Sequence, residues 1–338
     1  MSRPTISDVA VAAQVSTATV SRHLNGVSTV APELRERVEA AIRDLGYVRN
    51  PVGRALRRQR VDIVSLVVPD TKNAFYNGLA YGLESVLVDR GIQLVVGNTD
   101  ETVSREQQYI AAAVSQRFSG AVLAVASQAS TAYRMLEDEG IPLVLVDRRV
   151  EGYQGPSVVA DNARVGELAA EYLWKQGFRR PAVMASSNDI STTGDRAKGF
   201  QQAARRLGME LPPELVVAAD PRESGAESAL WWLLGSGHPF DAVFAANGPL
   251  TAATFRVLQA AGRMDTPGCG LVGVDDELWT DMVRPSVTVF RQPVEEMGRI
   301  AATMLLARLE GREIAEPHVT LLPQMVERES ALGKLRRG

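Results

Sequence analysis

The sequence predicts a small all-α head followed by a larger α/β core built on parallel sheets. Three observations carry this. The first sixty residues hold three short stretches with apolar residues at helical spacing, separated by tight turns. From Val61 onward, short apolar runs alternate with amphipathic stretches, the pattern of strands joined by crossover helices. The charge divides at the same place: residues 1–60 contain ten Lys and Arg against five Asp and Glu, and the rest of the chain contains 27 against 35. A basic head on an acidic body is the footprint of a nucleic-acid-binding module joined to something else, or simply a solvated charged surface.

In the head, residues 6–12 read as a helix with Thr5 or Ser7 at its N-cap and Ile6, Val9 and Ala10 on one face. Ala13, Gln14 and Val15 make a turn. Ser16 caps a second helix, 17–24, whose inward face is Val15, Val20 and Leu24. A third runs from Pro32, which suits a first helical position, to Leu45. Leu34, Val38, Ala41, Ile42 and Leu45 repeat at helical spacing, and Gly46 stops it. Two short helices joined by a tight turn form a helix-turn-helix. Arg22 can pair with guanine O6 and N7, worth roughly 1–3 kcal/mol of discrimination, or contact a phosphate. Short hydroxyl side chains suit phosphate contacts, which set register, and the small Thr17 and Ala18 suit a thymine methyl. His23 reads as a helix-surface or phosphate-facing residue.

In the core, the runs 61–68, 92–96, 120–125, 141–146, 181–186, 241–246 and 270–274 read as strands buried on both faces. Amphipathic stretches at 76–90, 104–117, 165–176, 195–207, 226–234 and 250–261 read as the helices between them. Ligands of such sheets sit beyond the carboxyl ends of the strands. The strand-end candidates are Asn73, Phe75, Tyr76, Asp147, Arg148, Asp161, Asn162, Arg196, Asn247 and Asp275. Arg with Asp and Asn suits a polyhydroxylated ligand, whose hydroxyls both donate and accept. Asp161 and Asn162 also read as caps of the next helix, and Asp147 with Arg148 as an internal ion pair.

Other classes find little support. The chain of 338 residues is 45% hydrophobic and 23% charged, ordinary for a globular protein of two or three compact units. No run of about 18 apolar residues predicts a membrane span, and the N-terminus lacks a secretory h-region. That argues against a transport component. A lone cysteine, Cys269, excludes an internal disulfide framework and fits a reducing cytoplasm. Gly268, Gly270 and Gly273 fit a dinucleotide fingerprint, but the last lies inside an apolar run instead of opening a helix. His238 and His318 have no partners at metal-ligand spacing. We expect no catalytic residue, no metal and no cofactor.

The string TISDVAVAAQVSTATVSRHLNG, followed by LRERVEAAIRDLGYVRNPVGRALR, resembles the DNA-binding head and hinge of the lactose/galactose repressor (LacI/GalR) family. The likeness spans the first sixty residues, and it implies several things. The second helix lies in the major groove, with Thr17, Ala18 and Arg22 reading bases and Thr5, Ser16, Thr19, Ser21 and Asn25 on phosphates. Residues 1–46 are then the reading head and 47–60 a hinge that folds on DNA. Asn50, Arg54 and Leu56 meet the DNA there, and Leu56 wedges a base step open in the minor groove. Residues 61–338 are a periplasmic-binding-protein-like sensor core of two lobes, about 61–161 with 292–322 and about 162–291 with 323–332. The chain crosses between lobes near Asp161, Gln292 and Pro323. Arg196, Asn247 and Asp275 hydrogen-bond a small-molecule effector, most simply a sugar or sugar derivative, and Phe75 or Tyr76 closes over it. The partners implied are operator DNA, that effector and a second copy of the chain. No leucine-heptad tail follows Ser330, so the expected assembly is a homodimer.

Four positions depart from the family pattern. Gln14 stands at a turn position where glycine is usual, Gly53 replaces the usual alanine in the hinge, and Asn247 is followed by Gly248 where the family commonly has Asp. Pro221 stands where an aromatic ring is frequent, and the adjacent Arg222 suggests an acidic ligand such as a sugar acid or phosphate.

Overall fold

A computed structural model describes residues 4–24, 30–47, 60–186, 190–220, 225–264 and 268–333. The chain forms two compact units, Met1–Val61 and Asp62–Gly338. In the first, α1 (Ile6–Ala12), α2 (Thr17–Leu24) and α3 (Pro32–Leu45) close around Val9, Ala10, Ala13, Val20, Val38 and Ala41. Thr5 is the N-cap of α1. Its hydroxyl accepts from Asp8 N, and the Asp8 carboxylate accepts from Thr5 N at 2.7 Å, a reciprocal capping box.

Gln14 takes φ +53, a left-handed conformation that costs a non-glycine residue about 1 kcal/mol. Arg37 of α3 braces this turn, donating Nη2 to the carbonyls of Ala13 at 2.7 Å and Gln14 at 3.1 Å. Composition alone shows Arg37 only as one more positive charge. Arg37→Ala should quicken amide exchange across residues 6–24 about fivefold, from the loss of about 1 kcal/mol of hydrogen bonding to a charged donor. Unchanged exchange would mean that the turn holds itself.

Two residues leave the inward face that their spacing predicts. Leu45, last in α3, is 36% exposed, and Leu34 is half-buried outside the cluster. Gly46 at φ +58 turns the chain so that Tyr47 N returns to the Ile42 carbonyl at 3.0 Å. Tyr47 then packs on the core in place of Leu45. His23 also turns inward: its Nε2 lies 3.8 Å from Glu39 of α3.

The larger unit contains two six-stranded sheets. The first comprises β1 (Val61–Val68), β2 (Gln93–Asn98), β3 (Phe118–Leu123), β4 (Leu143–Val146), β5 (Ser157–Ala160) and β11 (His318–Leu321). The second comprises β6 (Pro181–Ala185), β7 (Val216–Ala218), β8 (Ala242–Ala245), β9 (Gly270–Val274), β10 (Thr288–Arg291) and β12 (Gln324–Val326). Their orders, β11-β5-β4-β3-β1-β2 and β12-β10-β9-β8-β6-β7, are the same pattern repeated. Pairing is parallel, apart from β12 against β10. The chain passes between the sheets after β5, after β10 and after β11.

In the first lobe α4 (Ala74–Leu87) and α12 (Val294–Leu309) pack side by side on one sheet face, and α5 (Val103–Ser115) and α6 (Arg134–Asp138) complete the lobe. In the second, α7 (Asn162–Lys175) and α8 (Ser191–Arg206) pair in the same way. There α9 (Gly225–Gly235), α10 (Gly248–Ala260) and α11 (Leu278–Met282) complete the lobe. Both helix pairs meet through glycines. A Cβ at Gly82 would lie 2.1 Å from Glu295 O, and one at Gly199 would lie 2.0 Å from Ala163 O.

The structure corrects the sequence expectation at β2. It is an edge strand, not one buried on both faces, and Val95 and Val96 are each 45% exposed. Helix α8 begins at Ser191, ahead of the predicted 195. Ser, Thr and Gly are weak helix formers, yet residues 191–194 are all buried, and packing decides. Gly270 and Gly273 lie in β9, where a Cβ at Gly273 would meet Thr251 Cγ2 at 2.2 Å. Close packing against α10 accounts for that glycine, with no dinucleotide role needed.

Asp276, just past β9, accepts from Arg291 and lies 2.8 Å from Arg328 beyond β12. Burial raises its carboxyl, but hydrogen bonds from Arg291, Arg328 and Thr280 more than offset this and leave it below the ordinary 3.8. A group lowered on folding adds stability above its unfolded value and loses it as pH falls through the folded one. Asp276→Asn should therefore flatten the acid limb of the stability profile below about pH 4. An unaltered limb would assign acid unfolding to other carboxylates.

Candidate functional site

Two surfaces gather the candidate residues. On the head, Thr17, Ala18 and Arg22 are exposed along α2, with Arg22 Nε within 3.4 Å of Ala18 O. Ser16 caps the helix by accepting from Thr19 N at 3.1 Å, and its hydroxyl lies 2.9 Å from that of Thr19. Thr5 is exposed and engaged in its capping box, and Ser21 is half-buried. Asn25, Asn50, Arg54 and Leu56 lie outside the described residues, as do Gly53, Pro221 and Arg222.

In the core, Asn73, Phe75, Tyr76, Asp147, Arg148, Arg196, Asn247 and Asp275 all line one cavity between the lobes, about 60 Å³ in volume. At about 15 Å³ per site, that is room for roughly four waters. The lobes touch beside it: Arg149 N donates to Ser191 Oγ at 3.2 Å, and the Arg149 guanidinium lies 3.8 Å from Asp195.

Topology places these side chains. Asn73 and Asn247 are N-caps of α4 and α10, their Oδ1 atoms accepting from Phe75 N and Leu250 N. Asp147 directly follows β4, and Asp275 directly follows β9, its counterpart in the second sheet. Both have positive φ, +64 and +72. Such strained backbone on a non-glycine residue clusters at functional sites. The two lobes thus present the same acid, in the same backbone conformation, from matching strand ends.

The charged side chains interlock through hydrogen bonds. Tyr76 Oη donates to Asp147 at 2.9 Å. Arg148 lies 3.8 Å from Asp147, but its fork is on Glu101, at 2.6 and 2.7 Å. The internal ion pair is therefore with Glu101 more than with Asp147. Arg196, 2% exposed, donates to Asn162 Oδ1, Ala246 O and Gln292 Oε1 at 2.7–2.9 Å. Gln292 in turn donates to Asp275 at 2.7 Å, and Gly248 N donates to the other oxygen. Burial pushes the Asp147 carboxyl up, opposed by Arg148 and Arg196. Burial also lowers Arg196, opposed by Asp275 and Asp147. Burial, then the Asp147 charge, keeps the Tyr76 hydroxyl protonated.

Asp161 is an N-cap, accepting from Arg164 N, whereas Asn162 is buried and holds Arg196. A Cβ at Gly248 would lie 2.7 Å from the tip of Glu277 and 3.1 Å from Asp275 Oδ2, so the position is crowded by side chains and not by backbone. Sequence reasoning passed over Asp70, Glu101, Ser186, Ile190, Thr192, Thr193, Pro249 and Gln292, which also line the cavity. The strand-end rule, applied to β1, β2, β6 and β10, points to Asp70, Glu101, Ser186 and Gln292. Nothing local marks the others.

Among the described residues no cluster of His, Cys, Asp or Glu is placed to hold a metal, and no helix is long and apolar enough to cross a membrane.

Comparison with known proteins agrees with this architecture. The family "Bacterial regulatory proteins, lacI family" matches residues 5–50, and "Periplasmic binding protein-like domain" matches residues 170–331. The transcriptional regulator CelR of Thermobifida fusca is 34% identical over 337 residues, covering 97% of this chain and 98% of that protein. The regulator GalR of Escherichia coli K12 is 33% identical, covering 96% and 95%. A solved CelR–cellobiose complex superposes with a TM-score of 0.73 at 33% identity, over 97% of this chain and 100% of that one. The lac repressor dimer bound to operator superposes at 0.86 over 98% and 100%, but at 21% identity, and shows the fold alone. A helix-turn-helix head joined to this core defines a DNA-binding transcriptional regulator. The chain belongs to the LacI/GalR family of bacterial regulators.

Proposed function

We propose that the protein is a repressor that binds a near-palindromic operator as a homodimer and changes its operator affinity when a sugar or sugar derivative occupies the interlobe cavity. One observation carries the reading: side chains from both lobes, the eight strand-end and helix-cap candidates among them, converge on a single buried polar cavity. A ligand there contacts both lobes at once, so it can favour one lobe arrangement over another. The cellobiose held by a CelR structure at 33% identity supports a sugar as the ligand class. On this reading the protein is a cytoplasmic, nucleoid-associated regulator, not a catalyst.

The head, 1–46, reads DNA through Thr17, Ala18 and Arg22, with Thr5, Ser16, Thr19, Ser21 and Asn25 on phosphates. The hinge, 47–60, brings Asn50, Arg54 and Leu56 to the minor groove. Residues 61–338 bind the effector and a second copy. Exposed apolar side chains suit that pairing: Tyr81, Val88, Val95 and Val96 in the first lobe, and Leu278 and Met282 on α11 in the second. Two-fold pairing of heads predicts half-sites related by symmetry.

Selection of tight-binding duplexes from random DNA, followed by titration, tests this. Wild type should enrich a near-palindrome and lose affinity steeply with salt. Arg22→Ala should relax the preference at one base pair by about 5–150-fold, equivalent to roughly 1–3 kcal/mol. An unaltered preference would reduce Arg22 to a phosphate contact, and enrichment of no sequence would remove the regulator reading.

A further inference from the structure

The charge lining the cavity narrows the ligand. Four carboxylates, Asp70, Glu101, Asp147 and Asp275, face two guanidiniums, Arg148 and Arg196. Each guanidinium already stands among the carboxylates of the lining. The Arg148 fork is closed on Glu101, and its Nη1 also donates to Val125 O at 3.0 Å. Arg196 is committed to three acceptors and is flanked by the carboxylates of both lobes. Donors remain on Arg148 Nε, which has no hydrogen-bond partner among the described residues, and on two N–H groups of Arg196. The lining nevertheless holds more negative than positive charge and sets acceptors and neutral hydroxyls beside them. Each carboxylate oxygen has two lone pairs, and Asp147 and Asp275 each use only part of theirs. Ser186 Oγ and Thr193 Oγ1, also in the lining, are buried without a hydrogen-bond partner among the described residues.

We propose that the effector is an uncharged polyhydroxylated molecule whose hydroxyls donate to Asp147 and Asp275, and that the cavity rejects sugar acids and sugar phosphates. The proposal rests on the reading of this cavity as the effector site. It runs against the hint of an acidic ligand from Arg222. A ligand carboxylate or phosphate would meet excess negative charge in a site shielded from water, where like charges repel far more strongly than in bulk. A hydroxyl meets the acceptors it needs at no electrostatic cost.

Calorimetric titration of the full chain with matched sets tests it: galactose, galacturonate and galactose 1-phosphate; glucose, gluconate and glucose 6-phosphate; cellobiose and cellobionate. The expected result is that a neutral member binds at least tenfold tighter than its acid and phosphate counterparts. In Asp70→Asn, which removes one negative charge from the lining without touching the Arg196 network, that ratio should narrow severalfold. An acid or phosphate that binds as tightly as its neutral parent overturns the proposal and leaves the effector reading standing. A ratio unchanged in Asp70→Asn overturns its electrostatic basis. Binding by no member removes the sugar reading itself, and the proposal with it.

Discussion

Arg196→Ala is expected to abolish effector binding and to destabilise the core. The guanidinium is buried, bonded to Asn162, Ala246 and Gln292, and stands in the field of Asp147 and Asp275. Removing it leaves three buried acceptors without their donor and takes a positive charge from beside both carboxylates. Leaving a buried polar group unsatisfied costs about 1–3 kcal/mol for each group, so the three acceptors together predict a loss of several kcal/mol. Loss of its contacts to a ligand should cost at least about 100-fold in affinity. Thermal unfolding and calorimetry read the two effects separately. Arg196→Lys keeps the charge and loses the planar fork, so it should recover stability more than binding. A sign follows for pH as well. Asp147 is raised on folding by burial, so between the ordinary carboxylate value and its raised one the folded state holds more protons, and stability falls as pH rises. Without Arg196 that fall should steepen. Normal ligand affinity in Arg196→Ala would place the site elsewhere.

Gly166→Ala is expected to lower stability sharply, although alanine is the better helix former by about 1 kcal/mol. A Cβ at Gly166 would lie 1.9 Å from Arg196 O and 2.6 Å from Phe200 N. These are backbone atoms of α8, so α7 and α8 must separate. Overpacking of this kind costs about 1–3 kcal/mol, occasionally more. In a domain of this size that shifts the melting temperature by about 2–10 °C. The nearest atom belongs to Arg196 itself, so the shift should also weaken ligand binding. Gly235→Ala is the matched control: nothing lies within 4 Å of its added Cβ, and it should be neutral or slightly stabilising. Equal behaviour of the two variants would mean that the helix contact is slack.

Local signals in the sequence marked the head well. Helical spacing, a capping Thr5 and Ser16, Pro32 and Gly46 delimit α1, α2 and α3 at the residues where the structure begins and ends them. Leu45 misled because a helix's last residue keeps the apolar period after the packing face has turned away. In the core, β1 and the helices between strands show in the same way. Four-residue β10 is too short to show a period, and in α12 the unbroken buried run from Met304 to Ala307 blurs the helical spacing that Met297, Ala301 and Leu305 keep. The eight cavity residues were visible because the rule of strand carboxyl ends is topological. Their partners were not: Glu101 joins Arg148 across 47 positions and Gln292 joins Arg196 across 96, and no local pattern encodes such pairs.

Fluorescence anisotropy of the full chain on a duplex selected from random DNA, with and without the sugar that binds in calorimetry, tests the coupling of cavity to operator most directly. The ligand should change operator affinity at least about fivefold, a coupling of about 1 kcal/mol or more, in wild type and not in Arg196→Ala. A rise marks a corepressor and a fall an inducer. Saturating ligand with operator affinity unmoved would show that the cavity does not govern DNA binding.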